Sequence, residues 1–247
     1  MTLHIGGNVN LVVPISYDPE GKSPNSRVKP RCCLLLHGFT GGPYEIMPLA
    51  KHLRKQGIHC HVPTLPGHDK DLKGLGVVTW RDWLDAAASE ADKLTRQFGE
   101  IDVVGFSMGG LISAYLANRF PVHRLVLLNA AVIYLSRFIN DLAERLRCRD
   151  WDHLLRVTNT PLPAAFQFMK LARYTRLREL PRISVPTLIA QGKKDQIVHP
   201  RSAEYIYHRL RGERELIYFP NSRHMICMEQ EAPELFAAVE HFLNVSK

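Results

Sequence analysis

The sequence predicts an α/β protein with a doubly wound, mostly parallel sheet. Its 247 residues are 45% hydrophobic, which suits one domain with a sizeable core and a small inserted subdomain. The apolar run at 32–36 lacks the alternation of a half-exposed strand, as expected at the centre of a parallel sheet. Strand-like and helix-like segments then alternate along most of the chain. Such alternation is typical of a parallel sheet with helices on both faces.

The individual elements can be predicted in order along the chain. Short apolar runs predict strands at 10–15, 32–36, 58–62, 101–104, 124–130, 187–191 and 213–219. Apolar residues at helical spacing predict helices at 43–55, 79–98, 108–118, 201–210 and 232–243. Thr79 or Asp82 suits the cap of the second helix. A polar stretch at 18–30, rich in proline, glycine and serine, is a predicted loop.

One segment, 131–182, interrupts the alternation. It favours helix and contains no clear strand. We interpret it as a helical cap, or lid, on a core formed by 1–130 and 183–247. Its apolar side chains would either line an acyl pocket or pack the cap onto the core, and both readings are open. They are Ile133, Tyr134, Leu135, Phe138, Phe166, Phe168, Met169 and Leu171.

The predicted cap also carries most of the excess positive charge. The whole chain has a formal net charge of +8, and 131–182 holds ten Lys or Arg against five Asp or Glu, a net of +5. This is either a solvated helix face or a surface that favours transient contact with anionic lipid or acidic substrates. No basic run, zinc-finger spacing or aromatic-basic pattern indicates nucleic-acid binding.

Cysteine usage and the start of the chain indicate a cytoplasmic protein. The five cysteines form no CxxC motif and no metal-ligand spacing, which suits a reducing compartment. The first residues lack the charged start and apolar region of a signal peptide. Apolar runs are far shorter than a membrane span.

The chemistry is predicted to centre on Gly105-Phe-Ser107-Met-Gly109, between a predicted strand and a predicted helix. This is the pattern of a nucleophile elbow, in which a sharp turn presents the serine hydroxyl. Glycines two residues before and after Ser107 leave no β-carbon to collide across the turn. Gly110 would let the helix approach the neighbouring strand. The helix N-terminus would point its free N–H groups at an oxyanion beside Ser107.

A serine nucleophile needs a base and an orienting acid, which follow it in the order acid, then histidine, in elbow enzymes. Asp195 stands just after one predicted strand and His224 after the last, so both meet the order and the strand-end requirement. The rival acids are Asp141, Asp150 and Asp152 in the inserted segment. The rival histidines are His199, His208 and His241, which fall in a loop or on predicted helices.

The oxyanion of such a reaction requires two donors. We expect the backbone N–H of Met108 to be one and that of Phe39, in His37-Gly38-Phe39-Thr40-Gly41, to be the other. Gly38, Phe39 and Met108 would therefore contact the substrate, and a β-carbon at Gly38 would obstruct the ester. The alternative is a plain glycine-rich turn, since the phosphate-loop pattern is absent. We interpret His37 as a structural hydrogen-bonding residue.

These motifs together resemble those of the α/β-hydrolases, in particular small bacterial carboxylesterases and monoacylglycerol lipases. The resemblance covers nearly the whole chain and lies in 34–41, 66–68, 105–110, 194–195 and 224–231. It implies the α/β-hydrolase fold, with the cap inserted after the sixth core strand. It also implies a triad on Ser107, Asp195 and His224, oxyanion donors at Phe39 and Met108, no cofactor and no metal. One departure is Arg223, where the family usually has glycine.

We therefore expect a serine esterase that acts on small-molecule carboxylic esters, including monoacylglycerols. Other serine chemistry on the same fold, such as thioester hydrolysis, C–C bond hydrolysis or perhydrolysis, is an alternative. A ligand-binding receptor or inactive scaffold is another, although the intact triad and glycine loops favour an enzyme. Acyl chain length, oligomeric state and the motion of the lid do not follow from the sequence.

Overall fold

The structure, a computed structural model, describes residues 31–133 and 162–244. The predicted strand at 10–15, the loop at 18–30 and the rival acids of the inserted segment lie outside the described residues. So do the apolar residues Tyr134, Leu135 and Phe138.

The described residues form a six-stranded parallel sheet with the order β2-β1-β3-β4-β5-β6. The strands are β1 (Cys32–Leu36), β2 (His59–His61), β3 (Ile101–Phe106), β4 (Val122–Leu128), β5 (Thr187–Gly192) and β6 (Arg214–Phe219). Each strand falls where the sequence predicts one, within two residues at either end. The chain runs outward from β1 to β2 and then returns to the other side of β1. The topological switch therefore lies between β1 and β3, where ligands bind in open α/β sheets.

Helices cover both faces of this sheet. They are α1 (Met47–Lys55), α2 (Trp80–Phe98), α3 (Met108–Ala117), α4 (Leu162–Tyr174), α5 (Arg201–Arg209) and α6 (Ala232–Asn244). Alternate residues of the central strands point to opposite sides. Leu34 of β1 belongs to the apolar layer that contains residues of α2, α3 and α5, whereas Leu35 belongs to the layer that contains residues of α1 and α6. This confirms the doubly wound sheet and explains the uninterrupted apolar sequence of its central strands.

Local sequence signals set the start of two helices. Thr79 is the N-cap of α2, and its hydroxyl accepts the N–H of Asp82 while the Asp82 carboxylate accepts that of Thr79. Both of the proposed capping residues are thus used, in one capping box. The predicted helix at 43–55 is divided instead into a 3₁₀ turn, Pro43–Glu45, and α1. Each piece has a proline in its first turn, where a missing N–H costs nothing.

The described part of the predicted cap is helical and packs on the core. α4 continues into a π-helical turn, Thr175–Glu179, and a 3₁₀ turn, Leu180–Arg182. The buried carboxylate of Glu179 accepts hydrogen bonds from Arg119 and Asn118, just beyond α3. Along the described residues the strand before the insertion is the fourth. The limits of the cap stay a prediction, because most of the segment lies outside the described residues.

Candidate active site

Ser107 occupies the sharp turn that the sequence predicts between β3 and α3. Its backbone φ is 53° and its ψ is −113°, a region that costs a non-glycine residue free energy. The turn is held because the Ser107 N–H donates to Leu128 O at 2.9 Å, and the N–H groups of Gly110 and Ala131 donate to Ser107 O. The strain is therefore maintained by the surrounding backbone, as in a nucleophile elbow.

The glycines around Ser107 are required by close packing. A β-carbon on Gly105 would lie 2.4 Å from the carbonyl oxygen of Gly109. One on Gly109 would lie 2.2 Å from Leu36 O at the end of β1, and one on Gly110 would lie 2.7 Å from the β-carbon of Ala130. Real β-carbons do not approach backbone atoms this closely, so α3 contacts the sheet only because these residues lack side chains.

Asp195 and His224 meet across two loops at the carboxyl edge of the sheet. His224 Nδ1 lies 2.8 Å from Asp195 Oδ2, and since a carboxylate only accepts, the ring N–H is the donor. The other oxygen of Asp195 accepts the N–H groups of Ile197 and Val198 at 2.8 and 2.9 Å. Asp195 is 4% exposed, so a buried, fully bonded carboxylate fixes the tautomer of His224 and leaves Nε2 available as a base.

Asn129 joins these two loops, a role that was not predicted from the sequence. Its side-chain nitrogen donates to the carbonyls of Arg223 and His224 at 3.0 and 2.8 Å. Its side-chain oxygen accepts the N–H of Gly192, at the end of β5, at 2.8 Å. The residue is buried and has a φ of 44°, which asparagine tolerates better than most residues. The one sequence signal for this role is that a polar residue, Asn129, ends an apolar strand.

The loop after β1 lies against the elbow. A β-carbon on Gly38 would lie 3.3 Å from the β-carbon of Ser107 and 3.3 Å from the ring of Phe106. The Phe106 ring in turn lies 5.0 Å from the His224 ring, centroid to centroid. Ser107, Gly38 and His224 are therefore grouped around Phe106, at the switch point between β1 and β3.

The side chain of Phe39 connects this loop to the predicted cap. Its ring stacks on Phe168 of α4, with centroids 5.0 Å apart and planes 15° apart, and meets Trp83 of α2 edge-on. Phe168 is 3% exposed, whereas Phe166 and Met169 on the same helix are 59% and 39% exposed. Of the apolar residues proposed for an acyl pocket, Phe168 and Leu171 thus pack against the core.

His37 has the structural role expected from the sequence. Its Nδ1–H donates to Gly38 O at 2.9 Å, and its Nε2 accepts the N–H of Leu65 at 3.0 Å. Burial lowers the pKa of His37 to about 4, so the ring is neutral at physiological pH. The buried cysteines are not nucleophiles either, since burial raises the pKa of Cys32 and of Cys227 to about 12.

The rival histidines lie elsewhere. His208 and His241 are on α5 and α6, and the ring of His199 accepts the N–H of Arg201. Arg223 has an exposed side chain and no positive φ, so its backbone position does not require the glycine that the family usually has. Its carbonyl is the group that Asn129 binds.

A doubly wound parallel sheet with a strained serine elbow at the switch point, and an Asp–His pair beside it, defines the class of the α/β-hydrolases. The sequence pattern of the alpha/beta hydrolase family matches residues 33–239. The chain belongs to that family and is a hydrolase. Within 31–133 and 162–244, no helix is both long and apolar enough to cross a membrane.

Relatives of known activity include esterases and a lipase. A thermostable monoacylglycerol lipase of Bacillus sp. (strain H-257) is 30% identical over 214 residues, which is 81% of this chain and 85% of the relative. A carboxylesterase of Bacillus subtilis (strain 168) is 23% identical over 87% of this chain and 92% of its own length.

Solved structures share the fold. A structure described with LipS and LipT, two metagenome-derived lipolytic enzymes, has a TM-score of 0.76 at 23% identity, covering 87% of this chain and 94% of its own. A monoacylglycerol lipase of Paleococcus ferrophilus has a TM-score of 0.65 at 18% identity, and the match covers 86% of this chain and 93% of the lipase chain. At these identities the likeness supports the architecture alone.

Proposed function

We propose that this protein is a serine esterase that cleaves short- and medium-chain carboxylic esters, including monoacylglycerols, through an acyl-enzyme on Ser107. The observation that carries the proposal is the His224–Asp195 hydrogen bond at the same sheet edge as the strained serine elbow. A buried acid that orients a histidine beside a serine is what activation of a hydroxyl requires. The esterase and lipase relatives support the substrate class.

The reaction would proceed in two halves. His224 Nε2 takes the proton of Ser107 while the serine oxygen attacks the ester carbonyl, and Asp195 stabilises the imidazolium. The backbone N–H groups of Phe39 and Met108 bind the oxyanion of the tetrahedral intermediate. His224 then gives its proton to the leaving alcohol. Water hydrolyses the acyl-enzyme by the same route and restores the free serine.

We also propose the location and surface contacts that accompany this activity. The thiols of Cys32, Cys33, Cys60 and Cys227 are free and buried, which supports a cytoplasmic protein. α4 exposes Leu162, Phe166 and Met169 next to Lys170 and Arg173. Such a surface supports transient contact with anionic lipid, from which a monoacylglycerol would be drawn.

The test is hydrolysis of p-nitrophenyl esters with acyl chains of two to sixteen carbons, and of monoacylglycerols, by the native protein and by Ser107→Ala. Turnover that peaks at one chain length and is lost in the variant would support the proposal and give the size of the acyl pocket. Labelling of Ser107 by a fluorophosphonate without ester turnover would indicate another substrate. Absence of both would favour a non-catalytic protein.

A further inference from the structure

Glu45 is a buried acid that the proposed reaction does not use. It ends the 3₁₀ turn Pro43–Glu45 and is only 7% exposed. One carboxylate oxygen accepts the N–H of Gly38 at 2.8 Å. A β-carbon on Gly41 would lie 2.1 Å from the same carboxylate, so the loop after β1 is wrapped closely around it. A buried carboxylate is costly unless it is compensated, and it lies here within the candidate site.

The bond to Glu45 orients the peptide groups of the proposed oxyanion loop. The Gly38 N–H is bonded to Glu45, and the proposed oxyanion donor is the next amide along the chain, that of Phe39. Gly38 is also the residue whose backbone lies against Ser107. Glu45 is therefore one peptide group away from the proposed donor, and its carboxylate holds that peptide in place.

The N–H groups of this loop stabilise the Glu45 carboxylate in return. Burial raises the pKa of Glu45, while the N–H of Gly38, the positive charge of His224 and the N–H of Gly42 oppose that rise. The bonds that hold the loop therefore also stabilise the charged form of this buried acid.

The other titratable neighbours of Glu45 are uncharged at neutral pH. Burial and the charge of Glu45 raise the pKa of the Cys227 thiol to about 12, and the same two causes raise the pKa of the Tyr44 hydroxyl. Neither side chain supplies a positive charge, so the N–H of Gly38 is a compensating partner of the buried carboxylate.

We propose that Glu45 is a positioning residue of the esterase site, which orients the oxyanion loop through the N–H of Gly38. This inference rests on the proposed function, since it assigns a task within the same reaction. Glutamine keeps an oxygen that accepts the Gly38 N–H, whereas alanine removes the contact, so the two substitutions test the role.

The experiment compares Glu45→Gln and Glu45→Ala with the native enzyme. Glu45→Ala loses about 10- to 100-fold in kcat, with KM within about twofold, because the oxyanion loop is no longer held. Glu45→Gln keeps an acceptor for the Gly38 N–H and restores most of the native kcat. Glu90→Ala, on α2, removes another carboxylate that is bonded to a histidine, His61, and leaves kcat unchanged.

The rate at which a fluorophosphonate labels Ser107 gives a second readout that needs no ester substrate. It must fall in Glu45→Ala and be restored in Glu45→Gln even if the native protein hydrolyses none of the esters, which separates failure of this inference from failure of the substrate assignment. Equal kcat, or equal labelling rates, in Glu45→Ala and Glu45→Gln would overturn the role in orienting the loop.

Discussion

Asn129 makes three side-chain hydrogen bonds in a buried position, and these hold the loops of the proposed acid and base together. We expect Asn129→Ala to lower the free energy of unfolding by about 2–3 kcal/mol, since it leaves two carbonyls and an N–H without partners. Turnover of a p-nitrophenyl ester should fall at least about tenfold as His224 loses its fixed position. Denaturant unfolding and steady-state kinetics measure the two effects.

Asn129→Gly is the matched control, because the φ of 44° strains alanine but not glycine. The glycine variant should recover part of the stability and none of the activity. Recovery of activity in Asn129→Gly would show that backbone strain, rather than the lost hydrogen bonds, was responsible.

His37 makes folding stability depend on pH. Its pKa is about 4 in the folded protein, against an ordinary value of 6.5, because the buried ring disfavours a charge. Between these values the unfolded chain binds more protons than the folded protein. The contribution of His37 to the free energy of unfolding is therefore fully present above about pH 6.5 and is lost as the pH falls to about 4. The loss is on the order of 3 kcal/mol. In His37→Gln this contribution to the pH dependence should disappear.

Denaturant midpoints across that pH range measure the effect. His208→Gln, which removes an exposed histidine from α5, should retain the pH dependence of the native protein. A dependence that is equally steep in His37→Gln and in the native protein would show that another group is responsible.

At the scale of elements, α4 and the oxyanion loop are coupled through the stacked rings of Phe168 and Phe39. Phe168→Ala should lower the free energy of unfolding by about 2–4 kcal/mol and reduce kcat/KM, because the loop that carries the Phe39 amide loses its support. Phe166→Ala, at an exposed position two residues away on α4, should change stability by less than about 0.5 kcal/mol.

Phe168→Leu keeps most of the apolar volume and should retain the native fold. Its kcat/KM therefore shows whether the aromatic stack itself contributes to activity. Native kinetics in both Phe168 variants would disprove the coupling between cap and loop, whatever their stability.

At the scale of the whole molecule, the proposed lipid contact depends on where charge lies on the surface. Lys170→Glu combined with Arg173→Glu should weaken co-sedimentation with vesicles containing phosphatidylglycerol about tenfold or more, since each basic residue near such a surface contributes about 1 kcal/mol. Lys51→Glu combined with Lys55→Glu on α1 makes the same change in net charge on the opposite face of the sheet and should have little effect. Equal binding to vesicles of phosphatidylcholine alone would argue against an electrostatic contact.

Much of the fold could be predicted because its signals are local. Buried parallel strands are continuously apolar, helices repeat their apolar residues every three or four positions, and the capping box of Thr79 lies within four residues. The division of the predicted first helix at Ile46 was missed, because the same residues suit a 3₁₀ turn or a full helical turn.

The candidate site was predictable to the extent that chain order and strand ends locate it. Ser107, Asp195 and His224 each follow a strand, and the parallel sheet brings those ends to one edge. The structure brings Asp195 and His224 into a direct hydrogen bond at that edge. Their catalytic roles, and those of Phe39 and Met108, stay predictions until turnover is measured.

The sequence alone determined the class of fold, the family and the three residues of the proposed triad, because each depends on short patterns and on their order along the chain. The tertiary structure decided the parts that join distant segments. It placed Asn129 against two loops that lie 63 and 95 residues further along the chain. It also placed Glu45 against the N–H of Gly38, and Phe168 against Phe39. An asparagine, a glutamate or a phenylalanine has no local signature for such contacts, since its partner is set only when the sheet and helices pack.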